Sequence, residues 1–173
     1  MMKHILLGII LSFSLLTLAA CGGGGSDAVL LPTAKTTATV KVSLNGTLGV
    51  DTIGGADFSL TLPANVTPAM TGTTVAISVV APSGTFAGTT FAPDVTYTPV
   101  NGATPGKLKI LVTNSVPAGV TTVSEIATIT LQLANGATPA AVDFPVSSVS
   151  VISHPAGVAI AGMSASVTSV TLQ

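Results

Sequence analysis

Residues 37–44 read Thr-Ala-Thr-Val-Lys-Val-Ser-Leu, and this stretch decides the fold. Its apolar members alternate with threonine, lysine and serine, and they are Ala38, Val40, Val42 and Leu44. Successive side chains of a β-strand point to opposite faces of the sheet, so an apolar period of two is typical of a strand with one buried face. We therefore predict an amphipathic β-strand here.

The same alternation recurs along the chain. The apolar members of the later runs are Phe58, Leu60 and Leu62; Val75, Ile77 and Val79; Leu108, Ile110 and Val112; Ala127, Ile129, Leu131 and Leu133; Val149 and Val151; and Ala165 and Val167. No comparable stretch follows the period of a helix. Near the C-terminus the apolar phase shifts between Val167 and Val170, which indicates a β-bulge or a strand that changes partner.

Turn-forming sequences separate these runs, and they are Asn45-Gly46, Gly54-Gly55, Pro82-Ser83-Gly84, Asn101-Gly102, Pro117-Ala118-Gly119 and Asn135-Gly136. Many short strands divided in this way predict an all-β fold, a single antiparallel β-sandwich over residues 36–173. The pentapeptide Asn-Gly-Ala-Thr-Pro occurs at 101–105 and again at 135–139. Because the flanking strands differ, we interpret it as reused turn chemistry and not as a structural repeat.

The composition excludes several classes of protein. The chain has 173 residues, enough for one domain of ordinary size. Only 6% of the residues are charged, arginine and tryptophan are absent, and the net charge is −1. This balance predicts no nucleic-acid partner and no basic surface for anionic lipids. The abundance of β-branched residues argues against disorder.

The N-terminal segment 1–20 has the layout of a secretory signal peptide. Lys3 and His4 precede an apolar run over residues 5–18, and two alanines follow. The run is short for a membrane-spanning helix, which needs about 20 apolar residues. We therefore predict that residues 1–20 are removed on export.

Cys21 is the only cysteine and follows this segment at once. The sequence Leu18-Ala19-Ala20-Cys21 resembles the lipobox of bacterial lipoproteins. The resemblance implies that Cys21 is lipidated and becomes the first mature residue, with several acyl chains that hold it firmly at a membrane. Gly22 in the second mature position implies the outer membrane, with the domain on its periplasmic or cell-surface side.

Residues 21–35 are predicted to form a flexible linker between the lipid and the domain. Four glycines, residues 22–25, and Ser26 follow the cysteine. A phosphate-binding loop would need a following Lys-Ser or Lys-Thr pair between a strand and a helix, and this segment has neither. A glycine-rich segment of this kind is typical of flexible coil.

Three predicted strands carry a second family resemblance. Segments 53–63 (Ile-Gly-Gly-Ala-Asp-Phe-Ser-Leu-Thr-Leu-Pro), 106–112 (Gly-Lys-Leu-Lys-Ile-Leu-Val) and 126–133 (Ile-Ala-Thr-Ile-Thr-Leu-Gln-Leu) resemble an early, a middle and a late strand of cohesin domains. The resemblance spans residues 36–173. It implies a nine-stranded jelly-roll sandwich, related to a group of carbohydrate-binding modules, with a dockerin-like protein or a polysaccharide as its ligand. At Leu62-Pro63 the chain lacks the aromatic residue and aspartate that commonly precede this proline, and no partner-contact residue is carried over.

Candidate catalytic residues are few. His154 is the only histidine after the signal peptide, and Glu125 is the only glutamate. No nucleophile-elbow sequence accompanies them, so we interpret His154 as a solvated or packing residue and Glu125 as a charge that protects the start of a strand. We expect no enzymatic activity and no catalytic residue. A hydrolase that uses His154 with an aspartate is the less favoured alternative.

Metal binding would need several ligands that converge. Asp51 and Asp57 flank the predicted Gly-Gly turn, and Asp94 or Asp143 could approach from another loop, so an oxygen site for Ca²⁺ is physically possible. No calcium-loop motif is present, however, and no histidine and cysteine cluster follows the signal peptide. We expect ordinary turn aspartates, with no metal and no cofactor.

Sugar-binding sandwiches usually expose aromatic side chains, and the candidates here are Tyr97, Phe86, Phe91 and Phe144. Phe86 and Phe91 lie in a loop-like stretch, residues 84–92, where they could be exposed. In a chain with so few aromatic residues, most of them are expected in the core.

These observations together predict a non-catalytic, lipid-anchored extracytoplasmic module that binds a protein partner or a polysaccharide. Its binding residues are unknown at this level. The alternative is a structural lipoprotein of the envelope that self-assembles through sheet edges with few charges.

Overall fold

The structure is a computed structural model, and it describes residues 34–173. The predicted signal peptide, residues 1–20, lies outside the described residues. So do Cys21 and all but the last two residues of the predicted linker.

Eleven β-strands account for half of the described chain. They are β1 (Thr37–Asn45), β2 (Thr52–Leu62), β3 (Val66–Pro68), β4 (Met70–Thr71), β5 (Thr74–Val75), β6 (Val80–Pro82), β7 (Asp94–Thr98), β8 (Gly106–Thr113), β9 (Glu125–Leu133), β10 (Val146–His154) and β11 (Ser164–Leu172). Two single 3₁₀ turns, Gly84–Phe86 and Ala141–Asp143, are the only helical elements in this part of the chain.

Nine of these strands form two antiparallel sheets. Sheet A has the order β11-β1-β9-β3, and β6 also pairs with β9. Sheet B has the order β10-β2-β8-β7, and β4 with β5 forms a separate hairpin. The chain changes sheet at six connections, which follow β1, β2, β6, β8, β9 and β10. The predicted all-β antiparallel sandwich is confirmed.

The core lies between the two sheets. Alternate residues of the long strands face inward, and the predicted inward positions of β1, from Ala38 to Leu44, are all buried. Phe86 and Phe144, which belong to or follow the 3₁₀ turns, join the same core. Burying apolar surface contributes about 25 cal/mol per Å², so this shared layer is the main source of the fold's stability.

Gly84 allows the first 3₁₀ turn to approach sheet A closely. Its φ is +55°, and a Cβ at this position would collide with the carbonyl oxygen of Glu125. Only glycine meets both conditions without strain. The predicted turn at Pro82-Ser83-Gly84 therefore also serves to seat Phe86 in the core, where it is fully buried.

The phase shift near the C-terminus is a β-bulge, as predicted. Lys41 is paired with Ser169, whereas the next residue, Val42, is paired with Val167. Thr168 is the extra residue, and its hydroxyl donates a hydrogen bond to the carbonyl oxygen of Lys41 at 3.3 Å. The shift of the apolar pattern is the consequence of this insertion.

The turn predicted at Gly54-Gly55 is wrong, because both glycines lie inside β2. Gly55 is paired with Ile152 and Ile53 with Ser153, which leaves Gly54 as the extra residue of a bulge. A Cβ on Gly55 would lie 3.0 Å from the carbonyl oxygen of Val112. Glycine within a strand often marks a bulge or a close backbone approach, and here it marks both.

The strand predicted through Val75, Ile77 and Val79 is also wrong. β5 ends at Val75, and the N–H of Val79 donates to the carbonyl oxygen of Ala76 at 2.9 Å, so the chain turns between them. Ile77 stands at this turn with 83% of its surface exposed, while Val79 is buried. The local alternation is interrupted because Ala76 hydrogen-bonds back to Ala69 across the β4-β5 hairpin.

Candidate binding face

A small group of polar residues meets on the outer side of sheet B. β2 and β7 both pair with β8, so Asp57 and Asp94 stand on either side of Leu111 in the register. In the next outward row, Thr96 stands beside Lys109. These five residues, which we call the polar face, line a hollow of about 120 Å³.

The charges of the polar face are incompletely paired. Lys109 Nζ lies 3.3 Å from Asp57 Oδ2, and 64% of the Lys109 side chain is exposed. The other carboxylate oxygen, Asp57 Oδ1, is buried and has no hydrogen-bond partner among residues 34–173. A buried acceptor without a donor costs about 1–3 kcal/mol, so its presence in a folded protein requires an explanation.

The outer side of sheet A contrasts with this arrangement. Its cross-strand rows place Thr39 beside Thr130 and Thr171, and Lys41 beside Thr128. We call these five residues the threonine face. At its end the Lys41 ammonium donates to Glu125 Oε2 at 3.0 Å, and the Thr128 hydroxyl donates to Glu125 Oε1 at 3.3 Å.

Glu125 is stabilised in its charged form. A hydrogen bond from the Ser83 hydroxyl is the largest cause that lowers the pKa of Glu125 below its ordinary value. Partial burial opposes this effect, and the ammonium of Lys41 and the hydroxyl of Thr128 lower the pKa further. Glu125 is the first residue of β9, and both of its carboxylate oxygens have donors. Glu125 thus forms a structural ion pair with Lys41 at the start of β9.

His154 stands at the end of β10 and is half-buried. Its carbonyl oxygen accepts a hydrogen bond from the Thr52 hydroxyl at 2.9 Å. Within residues 34–173 its imidazole makes no hydrogen bond, and the neighbouring Ser153 hydroxyl accepts from the N–H of Val158 instead. The described residues therefore do not assemble a Ser-His-Asp set around His154.

Of the four aspartates considered as metal ligands, only Asp57 and Asp94 come together. Asp51 is exposed ahead of β2, and the extended strand separates it from Asp57. Asp143 accepts a hydrogen bond from the N–H of Ala140 at 2.8 Å. Asp57 shares a hollow with Asp94, and the Lys109 ammonium provides the positive charge there. Among residues 34–173, no three metal-ligating side chains are grouped closely enough to hold an ion.

The aromatic candidates divide between the core and the surface. Phe86 and Phe144 are buried, and Tyr97 packs half-buried against the core from β7. Phe91 is 54% exposed in the loop before β7. None of the five residues of the polar face, all of which belong to the described part of the chain, is aromatic.

No sequence motif singles out Lys109 or Thr96 as a site residue. The alternation of β7 and β8 places both side chains outward, so their exposure could have been found. Their meeting with Asp57 depends on the pairing of β2 with β8, and strand pairing between distant segments leaves no local signal.

No helix of residues 34–173 has the length and apolar character needed to cross a bilayer. Comparison of the chain with models of protein families, with curated proteins and with solved structures finds no match.

Proposed function

We propose that this protein is a non-catalytic binding module, anchored by lipid at Cys21 to the outer membrane, that engages a protein partner through the polar face. The observation that carries the proposal is the Asp57 carboxylate, whose Oδ1 is buried without a donor from residues 34–173 and lies beside a largely exposed lysine. A partner that displaces the Lys109 side chain and donates to this oxygen would relieve the cost of leaving it unpaired.

A protein partner fits the polar face better than a polysaccharide does. The face presents two carboxylates, one ammonium and one hydroxyl on a sheet, which suits hydrogen-bonded and charged contacts with another protein. Polysaccharide sites rely on aromatic rings that stack on sugars, and of the four aromatic candidates only Phe91 is largely exposed. Phe91 also lies in a loop and not on the face.

The chain path supports the resemblance to cohesin domains. Nine strands form two packed antiparallel sheets, and the chain crosses between the sheets at most connections, as in a jelly roll. A dockerin-like protein is accordingly the class of partner that we propose. The lipid anchor would display this domain at the periplasmic or cell-surface side of the membrane.

The binding proposal is tested with the soluble chain from Ser26 onward, immobilised and exposed to envelope extract, with a glycan array in parallel. We expect capture of a protein, with affinity reduced about tenfold or more in Asp57→Ala, the loss typical of a central contact residue. The matched control is Thr130→Ala on the threonine face, which should bind like the wild type. Capture unaffected by Asp57→Ala, or binding of glycans alone, would overturn the proposal.

The anchor is tested separately by Cys21→Ser. The lipobox reading predicts that this variant accumulates as unprocessed precursor and loses its association with the outer membrane, since it has no thiol to lipidate. Fractionation of the cells and the mass of the N-terminal peptide report the two effects. Mature variant protein that still fractionates with the outer membrane would contradict the lipid anchor.

A second candidate function is self-assembly, which the edge strand β11 favours. β11 contains no charged residue, and within the described part of the chain its outer edge has no backbone partner. Such an edge can pair with another copy, and a lysine on it usually prevents this pairing. We expect association at high concentration, measured by small-angle scattering, to disappear in Thr171→Lys but to persist in Thr130→Lys on central β9. A strictly monomeric wild type would eliminate this candidate.

A further inference from the structure

Three Asn-Gly pairs lie at strand ends or in turns of the described chain, and the side-chain amides of their asparagines have different hydrogen bonds. Asn45 Nδ2 donates to the Ser166 hydroxyl at 3.0 Å, and Asn135 Nδ2 donates to Asn65 Oδ1 at 3.0 Å. Among the hydrogen bonds of residues 34–173, none involves the side-chain amide of Asn101. Asn101 is exposed, and a Cβ on the following Gly102 would meet no atom within 4 Å.

An Asn-Gly pair can react with itself. The backbone nitrogen of the glycine attacks Cγ of the asparagine side chain and gives up its proton, and the Cγ–Nδ2 bond breaks. The leaving amide nitrogen takes a proton and departs as ammonia, which leaves a closed succinimide ring. Water then opens the ring on either side and gives aspartate or isoaspartate. The net change consumes one water and releases one ammonia, and no enzyme or oxidant is needed. Glycine favours the attack because it has no side chain to block it.

Asn101 and Asn135 form a matched pair within one molecule, because both begin the pentapeptide Asn-Gly-Ala-Thr-Pro. Both asparagines are exposed, and the space around Gly136 is as open as that around Gly102. Local sequence and solvent access are therefore the same at the two sites. The sites differ in the Asn65 side chain, whose bond to Nδ2 holds the Asn135 amide in place, and in the backbone, since the φ of Asn135 is +52°. The Asn65 contact is the difference that a substitution can remove.

We propose that Asn101-Gly102 is a site of spontaneous deamidation in the folded protein and that the two other Asn-Gly pairs are protected by their side-chain hydrogen bonds. The reaction creates a new carboxylate on the residue between Val100 and Gly102, both of which line an apolar hollow of about 210 Å³. Isoaspartate also lengthens the backbone inside the turn that the mutual hydrogen bonds of Asn101 and Thr104 close, at 3.1 and 3.0 Å. The inference is independent of the proposed binding function.

The test is peptide mapping by mass spectrometry after the purified chain is incubated in warm, mildly alkaline buffer. Asn101 should deamidate about fivefold faster than Asn135, the factor that corresponds to about 1 kcal/mol for one hydrogen bond. In denaturant the two rates should converge, because the local sequences are identical. Equal rates in the folded chain, or a faster Asn135, would overturn the proposal.

Asn65→Gly supplies the second arm of the test. Residue 65 has a φ of +62°, so glycine keeps the backbone conformation while it removes the side chain that holds Asn135. The rate at Asn135 should then rise towards that of Asn101, while the rate at Asn101 stays unchanged. A variant in which Asn135 remains slow would show that its side-chain bond is not the protecting contact, and this too would overturn the proposal.

Discussion

The outer faces of the two sheets each carry a lysine paired with a carboxylate, but the hydrogen bonding of the two carboxylates differs. On sheet A, Lys41 pairs with Glu125, and both carboxylate oxygens of Glu125 have donors. On sheet B, Lys109 pairs with one oxygen of Asp57, and Asp94 lies across the same hollow. The other Asp57 oxygen is buried and has no donor in the described part of the chain. A carboxylate whose two oxygens both have donors stabilises the fold. A carboxylate with a buried oxygen that lacks a donor would gain a hydrogen bond from a binding partner. The comparison therefore separates a structural face from a candidate binding face.

The largest expected loss of stability comes from disturbing the close contact between Gly84 and the backbone of Glu125. In Gly84→Ala the new Cβ meets the Glu125 carbonyl at a positive φ, so we expect a loss of about 2–4 kcal/mol in the free energy of unfolding. The matched control is Gly88→Ala, where φ is +78° but no atom lies within 4 Å. The control should lose about 1 kcal/mol from strain alone. Equal losses in urea titrations would show that the close approach has no energetic weight.

Removing the unsatisfied carboxylate should have the opposite sign. Asp57→Ala abolishes the weak ion pair with Lys109, worth about 0–1 kcal/mol, but also removes a buried acceptor that costs about 1–3 kcal/mol. We expect the free energy of unfolding to rise by about 1 kcal/mol while partner binding falls. Thermal and chemical unfolding measure the first effect. A clear loss of stability would mean that the polar face is structural, like its counterpart on sheet A.

The ion pair on sheet A should stabilise the fold modestly. Glu125→Gln keeps the shape and the hydrogen-bonding oxygen but removes the attraction to Lys41, so we expect a loss of up to about 1 kcal/mol. A double-mutant cycle with Lys41→Met isolates the coupling between the two side chains. Coupling near zero would remove the proposed difference between the faces.

The smallest expected effect is a pH dependence that belongs to Glu125. Its folded-state pKa is lowered, first by the Ser83 hydroxyl and further by Lys41, so its contribution is fully present above the unfolded value of about 4.3. The contribution is lost as the pH falls through the lowered folded-state pKa. As the pH falls through this acidic range, the free energy of unfolding should therefore decrease less steeply in Glu125→Gln than in the wild type. Parallel curves for the two proteins would contradict the assignment.

Much of the fold could be predicted from the sequence because strand formation is largely local. The alternation of residues 37–44 correctly located β1. The shifted apolar phase before Val170 predicted a bulge or a change of strand partner, and the structure has the bulge. The pair Gly54-Gly55 was predicted wrongly because glycine marks both turns and bulges, and only the pairing of β2 with β10 and its contact with β8 distinguish the two. The strand through Ile77 was predicted wrongly because three alternating apolar residues carry no information about the hydrogen bonds of Ala76, at which the chain turns.

The candidate site could be predicted only in part. The sequence singled out Asp57 and Asp94, but as ligands of a possible metal. Their meeting with Lys109 depends on the register of β2 and β7 against β8, and a shift of one residue would turn Asp57 into the core. The burial of Oδ1 follows from this register.

The sequence by itself determined the class of the protein: an all-β sandwich without internal disulfides, preceded by a segment with the pattern of a lipoprotein leader. Composition and a two-residue period are properties of neighbouring residues, so they can be read without the fold. The tertiary structure alone decided which polar side chains form hydrogen bonds with distant segments. The two copies of Asn-Gly-Ala-Thr-Pro demonstrate the reason, because Asn135 donates to Asn65 whereas the Asn101 side chain has no hydrogen-bond partner within residues 34–173. Hydrogen bonds between distant segments depend on packing, which identical local sequences do not specify.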